Sequence, residues 1–254
     1  MARLGVVEPF WTTAFLDVPA AAHPAALQFW QQVTGYGVSD PRGPHDEFVS
    51  LVPPDADAHL KVQRLDGPDR APRLHLDLHV DDPRAAAEKA SALGARVLAD
   101  HGYVVMSSPG GFEFCFVRQA ASLAAGPVDW ADGASSIVDQ VCLDVPSRAY
   151  DAEAAFWEQL TGWERRPSQG HPEFERLRRP PGQPMHLLLQ RLDEPTGPTR
   201  AHLDLACADR EREARRHVRL GAVRLADHDD WTVLRDPAGA PYCITTRPPE
   251  SREP

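Results

Sequence analysis

Residues 75–78 read His-Leu-Asp-Leu, and residues 202–205 read His-Leu-Asp-Leu again. The two copies stand 127 residues apart. The same spacing carries Leu16-Asp17-Val18-Pro19 onto Leu143-Asp144-Val145-Pro146, Phe29-Trp30 onto Phe156-Trp157, and Thr34-Gly35 onto Thr161-Gly162. It also carries Gln63-Arg64-Leu65 onto Gln190-Arg191-Leu192, and Leu98-Ala99-Asp100-His101 onto Leu225-Ala226-Asp227-His228. One extra residue near Asp229 or Asp230 then moves the spacing to 128, at which Pro109 and Cys115 match Pro237 and Cys243. Chance does not hold register through so many blocks, and a fixed internal period defines structural units before any element is assigned. The 254 residues therefore hold two copies of one unit. The expected layout is a first unit over 1–119, a linker over 120–135 (AASLAAGPVDWADGAS), a second unit over 136–247 and a disordered tail over 248–254.

Working outward from the tetrapeptide, side chains two apart on a strand share a face. Leu76, Leu78 and Val80 form an apolar face for packing under helices, which leaves His75, Asp77 and His79 on the opposite face. The second unit presents His202, Asp204 and Ala206 there. Residues 13–18 and 140–145 alternate in the same way, with Thr13, Phe15 and Asp17, or Gln140, Cys142 and Asp144, on the polar side. A helix follows, ending in FWQQVTGY or FWEQLTGW, with Gly35 or Gly162 where a C-terminal glycine cap is expected. Short strands are expected at 48–52 and 60–65. Past the tetrapeptide strand, Asp82 or Asp209 reads as a helix N-cap, Gly94 or Gly221 as that helix's end, and 104–107 with 112–117 as paired strands. A sheet whose second face is part polar and part aromatic is a poor second core and a good cleft wall.

The composition narrows the partners. The formal charge of −10 opposes approach to nucleic acid or an anionic membrane, so neither is expected as a partner. No apolar run reaches the roughly 20 residues of a membrane span, and the N-terminus lacks the layout of a signal peptide, which leads to the expectation of a soluble cytoplasmic protein. The four cysteines, Cys115, Cys142, Cys207 and Cys243, show no paired spacing and read as free thiols. Three histidine pairs recur with the repeat, at His59 and His186, His75 and His202, and His101 and His228.

Together with SPGGFEFC at 108–115 and DPAGAPYC at 236–243, this order of motifs resembles the vicinal oxygen chelate superfamily, in the glyoxalase-like branch of its glyoxalase and bleomycin-resistance group. The resemblance covers nearly the whole chain. It implies an α+β fold, a tandem repeat of paired βαβββ modules whose curved mixed sheets close around clefts, with four modules in one chain. In metal-dependent members of the superfamily, the ligand positions fall at Thr13, His75 and Cys115 in the first unit and at Gln140, His202 and Cys243 in the second. The histidines match the superfamily's pattern, whereas the cysteines stand where it has a glutamate.

The expected function is binding of a small organic molecule in a cleft, without the superfamily's usual metal or any other cofactor. The cleft residues would be Thr13, His75, Asp77, His79, Tyr103 and Cys115 in one unit, and Gln140, His202, Asp204, Trp231 and Cys243 in the other. His75 with Asp77, and His202 with Asp204, are the candidate catalytic pairs, because a carboxylate orients an imidazole and raises its basicity. The same pairs also read as buried dyads that pin strand register. Two alternatives stand beside this reading: a divalent-metal-dependent lyase, isomerase or dioxygenase, and a drug-sequestering protein of the bleomycin-resistance kind. Duplication within one chain replaces a homodimer, so a monomer is expected, with a further dimer left open.

Overall fold

The computed structural model describes residues 6–67, 71–131 and 133–249, so most of the expected tail lies outside the described residues. In the first unit, β1 (Trp11–Pro19), α1 (His23–Thr34), β2 (Gly37–Val38), β3 (Phe48–Val52) and β4 (Leu60–Leu65) form one module. A second module follows in β5 (Arg73–His79), α2 (Pro83–Ala92), β6 (Arg96–Asp100), β7 (Val104–Ser107) and β8 (Glu113–Val117). A short strand, β9 (Val128–Asp129), lies between the units. The second unit runs β10 (Ser135–Pro146), α3 (Tyr150–Thr161), β11 (Glu164–Pro167), β12 (Phe174–Arg178) and β13 (His186–Leu192). It closes with β14 (Arg200–Cys207), α4 (Arg210–Arg219), β15 (Val223–Asp227), β16 (Trp231–Arg235) and β17 (Pro241–Thr245).

The first sheet has the order β2-β3-β4-β1-β5-β8-β7-β6 and the second β11-β12-β13-β10-β14-β17-β16-β15, so each βαβββ module supplies four adjacent strands. The modules join at the centre, where β1 pairs antiparallel with β5 and β10 with β14. Neither sheet closes into a barrel, and the open ends are β2, β6, β11 and β15. Sequence periodicity does not pick out these edge strands, because nearly all of their residues are exposed and none alternates between core and solvent. The linker is more structured than its small residues suggest. Its strand β9 pairs with the start of β10, and the Trp130 ring lies 3.7 Å beneath the Arg216 guanidinium.

Local sequence rules account for the ends of the helices. Gly35 and Gly162 adopt left-handed conformations, with φ of 68° and 70°, and cap α1 and α3. The Asp82 side chain accepts from the backbone N–H groups of Arg84 and Ala85, and Asp209 accepts from that of Arg212. Among the described residues no helix is long and apolar enough to cross a membrane.

The two units share one hydrophobic core. Helix α1 of the first unit sends Trp30 against Tyr242 of the second, and the Trp30 indole donates to Asp236 at 2.9 Å. Helix α3 returns the contact. Trp157 packs on Phe112 and Phe114, and buried Glu153 accepts from Ser108 Oγ at 2.6 Å, the Gly110 N–H at 2.7 Å and the Trp157 indole at 2.9 Å. Ser108 occupies the repeat position of Asp236. The first unit's loop thus takes from the second unit's helix the carboxylate that the second unit's loop carries itself. A side chain on Gly110 would meet Glu153, which explains a glycine at this close approach.

Candidate functional site

Each unit encloses one concave cavity of about 510 Å³ against the polar face of its central strands. In the first unit, antiparallel pairing puts Phe15 opposite His75 and Thr13 opposite Asp77, while parallel pairing puts Cys115 beside Asp77. In the second, Cys142 lies opposite His202, Gln140 opposite Asp204, and Cys243 beside Asp204.

The histidine at each cavity floor stands between two carboxylates. His75 Nδ1 donates to Asp17 at 2.9 Å, and its Nε2 lies 3.8 Å from Asp77. His202 Nδ1 donates to Asp144 at 2.9 Å, and its Nε2 lies 3.3 Å from Asp204. Burial opposes the charged ring in both cases. The Asp17 carboxylate, helped by Asp77, overcomes that opposition and raises the His75 pKa, and Asp144 raises that of His202 well above its ordinary value. Burial also raises the Asp77 carboxyl, against the pull of His75 and Lys61. The Cys115 thiol is pushed up by burial and then by Asp77; burial pushes up Cys243 although His202 opposes it. All four cysteines are free, in keeping with their spacing.

The walls of the two cavities differ. In the first, the His75 ring stacks on Phe15 at 4.5 Å, with Phe48 and Tyr103 also lining the space. In the second, Trp231 stacks on His228 at 4.5 Å and meets Phe174 edge-on at 5.6 Å. His171 joins this aromatic group and bonds Asp230 at 2.9 Å.

The Glyoxalase-like domain family matches residues 13–117 and 140–245, once in each unit. The chain belongs to this family. No curated protein matches its sequence. Among solved structures, an extradiol ring-cleaving dioxygenase from B. fuscum is similar at 16% identity and a TM-score of 0.61, over 99% of this chain and 76% of the other. The Mn(II)-bound glyoxalase from Novosphingobium aromaticivorans shares 17% identity at a TM-score of 0.59, over 96% and 83% of the two chains. A xylose isomerase-like TIM barrel/4-hydroxyphenylpyruvate dioxygenase fusion protein is matched at 15% identity and a TM-score of 0.59, over 95% of this chain. The chain spans about half the length of that fusion protein, at 48%. At such identities the likeness concerns the fold, which is the vicinal oxygen chelate fold in two tandem glyoxalase-like units.

Within the glyoxalase-like units, His75, Asp77, Tyr103 and Cys115 line the first cavity, and Gln140, His202, Asp204, Trp231 and Cys243 line the second. Thr13 and His79 do not line the first cavity. Thr13 Oγ1 and His79 Nε2 bond each other at 2.9 Å, and His79 Nδ1 donates to the Gln119 carbonyl at 2.8 Å. They sit farther along the same strand face, behind the cavity-lining Val117 and Gln119 that His79 contacts, and burial depresses the His79 pKa to about 4.

The carboxylates bonded to the two imidazoles also differ from the sequence reading. Asp17 and Asp144, from the repeated Leu-Asp-Val-Pro strand, hold the Nδ1 atoms, while Asp77 and Asp204 face Nε2. The recurrence of Asp17 and Asp144 on the polar strand face was the available signal. Lys61, Arg42, Phe48 and Phe174 line the cavities without any motif to mark them.

His75, Asp77 and Cys115, and likewise His202, Asp204 and Cys243, bring a nitrogen, an oxygen and a sulfur donor within 4.8 Å of one another. Such a set fits a divalent cation of borderline softness, and a carboxylate on the far ring nitrogen is the usual outer partner of a ligating histidine.

Proposed function

We propose that each glyoxalase-like unit binds a small organic molecule in its cavity, with His75 or His202 presenting Nε2 as the proton-carrying group. The carrying observation is the placement of each imidazole between two carboxylates. One carboxylate fixes Nδ1, which sets the ring orientation, and Nε2 is left on the side of the second carboxylate. An imidazole oriented in this way is suited to acid–base chemistry on an activated carbon acid. The aromatic walls supply the stacking surface for a flat substrate.

A second reading rests on the donor sets. His202, Asp204 and Cys243 would hold a divalent metal in the second unit, as His75, Asp77 and Cys115 would in the first. When bound, a metal would supply Lewis-acid polarisation of a substrate oxygen. Asp144 and Asp17 would then keep the ring aligned, and Gln140, which donates to Asp204 at 2.5 Å, would position that carboxylate.

Ligand-observed NMR with a panel of small phenols and carbonyl compounds tests the choice, using protein purified without a chelating tag and then treated with a chelator. Binding that survives chelation, and is lost when His75→Ala and His202→Ala are combined in one chain, is the expected result. Binding that appears only after zinc or manganese is restored, with one equivalent of metal retained per unit, overturns the first reading in favour of the second.

A further inference from the structure

The first cavity holds cationic side chains that no ion pair engages. Lys61 is only 7% exposed, and buried charges ordinarily have charged partners. Its Nζ bonds Gln119 Oε1 at 3.1 Å and sits 4.9 Å over the Phe15 ring. Arg42, on the same cavity, bonds Ser50 Oγ at 2.6 Å, and Arg118 lines the rim. Among the described residues, none of these three has a carboxylate within ion-pairing distance. Arg73, by contrast, is held by Asp17 at 3.0 Å and Glu113 at 2.6 Å.

The second unit lacks all three charges at the matching places. Leu188 pairs with Cys142 as Lys61 pairs with Phe15. Ser168 bonds the Phe174 carbonyl as Arg42 bonds that of Phe48, and Thr246 follows β17 as Arg118 follows β8. The second cavity has arginines of its own, Arg176, Arg200 and Arg247; Arg200 is tied to Glu194 and Arg247 to Asp139. In a chain of net charge −10, a cavity lined by three cations outside any ion pair, against the carboxylates Asp77 and Glu113, is a local reversal of the mean field.

We infer that the first unit's cavity takes a small organic anion with a flat apolar body, the anionic group meeting Lys61, Arg42 and Arg118 and the body stacking among Phe15, Phe48 and Tyr103. This inference rests on the small-molecule reading of the cavities and adds the charge of the ligand to it. Attraction of an anion to an ammonium and two guanidiniums in a partly desolvated cleft is strong, and the aromatic rings favour a planar body without adding charge.

The test uses two dyes with the same ring system, 8-anilinonaphthalene-1-sulfonate and the uncharged N-phenyl-1-naphthylamine, titrated by fluorescence into the full chain. The sulfonate is expected to bind at least ten-fold more tightly than the neutral dye and to weaken as salt is raised. Lys61→Met places an apolar side chain where the second unit already has leucine. It should lower sulfonate affinity at least ten-fold and leave the neutral dye unchanged, with Lys61→Arg retaining the preference. Equal affinities for both dyes in the unaltered protein, or an undiminished sulfonate affinity in Lys61→Met, overturn the anion inference while leaving the cavity reading intact. Failure of both dyes to bind overturns the inference and the small-molecule reading together.

Discussion

The two units share a floor and differ in what surrounds it. Both keep a histidine between two carboxylates and a cysteine beside the second of them. Around that floor the first unit has Phe15, Lys61 and Arg42 where the second has Cys142, Leu188 and Ser168. Duplication has therefore kept the part of each cavity that can hold a proton or a metal, and changed the part that would meet the body of a ligand. The pattern is that of two cavities with one floor and two sets of walls.

The units differ as well in how they hold each other. The second unit's loop carries its own carboxylate, Asp236, whereas the first unit's loop has Ser108 and relies on Glu153 from α3. Glu153→Ala should be the most damaging single change. Removing it strands the buried Ser108 and Trp157 donors and the half-buried Gly110 N–H, for a loss of about 3 kcal/mol measured by urea unfolding. Adding Ser108→Asp to that variant should recover at least half of the loss. A single-variant loss below about 1 kcal/mol would break the picture of a shared carboxylate.

Helix α4 offers a second contrast. Glu213 is buried there with His217 and Arg216, and Arg216 in turn donates to the Gln32 and Val33 carbonyls at the end of α1; α2 has Ala86 at the equivalent place. Burial works against the Glu213 carboxylate, yet His217 and Arg216 hold its pKa down to about 2, below the ordinary 4.5. A carboxyl group depressed on folding contributes stability that is present above its unfolded pKa and lost as pH falls through the folded one. Between pH 5 and pH 2 the protein should therefore lose about 2–3 kcal/mol through this group. Denaturant unfolding of Glu213→Gln across the same range should show a shallower acid slope, and an unchanged slope would assign the acid sensitivity elsewhere.

The smallest expected effect sharpens the contrast between the cavities. Leu188→Lys gives the second unit the ammonium of the first, and should raise its affinity for the naphthalenesulfonate dye by about three- to ten-fold, near 1 kcal/mol. The uncharged dye should respond to this change by less than two-fold. A rise for both dyes would mean that the lysine acts by reshaping the cavity rather than through charge.

Much of the fold was legible in the repeated words of the chain. The tetrapeptide strand, the Leu-Asp-Val-Pro strand, the Phe-Trp helix and its glycine cap each carry a local signal, namely alternation, helical spacing or a required left-handed turn. The edge strands carried none, because both of their faces are wet. The site was half legible. His75 and His202 were visible as polar residues on a strand face, but the sequence suggested their neighbours two residues along, Asp77 and Asp204, as the orienting carboxylates. The bonds to Nδ1 instead come from the adjacent strand, from residues 58 positions away.

By itself the sequence determined the duplication, the module order and which face of each strand is polar, since these depend on period and on local backbone preference. Only the tertiary structure decided the register of β1 against β5, and with it the choice of Asp17 to hold His75, the exclusion of Thr13 and His79 from the cavity, and the unpaired state of Lys61. Register is fixed by packing between distant segments, and a carboxylate's partner depends on distances of a few ångströms that no local pattern encodes.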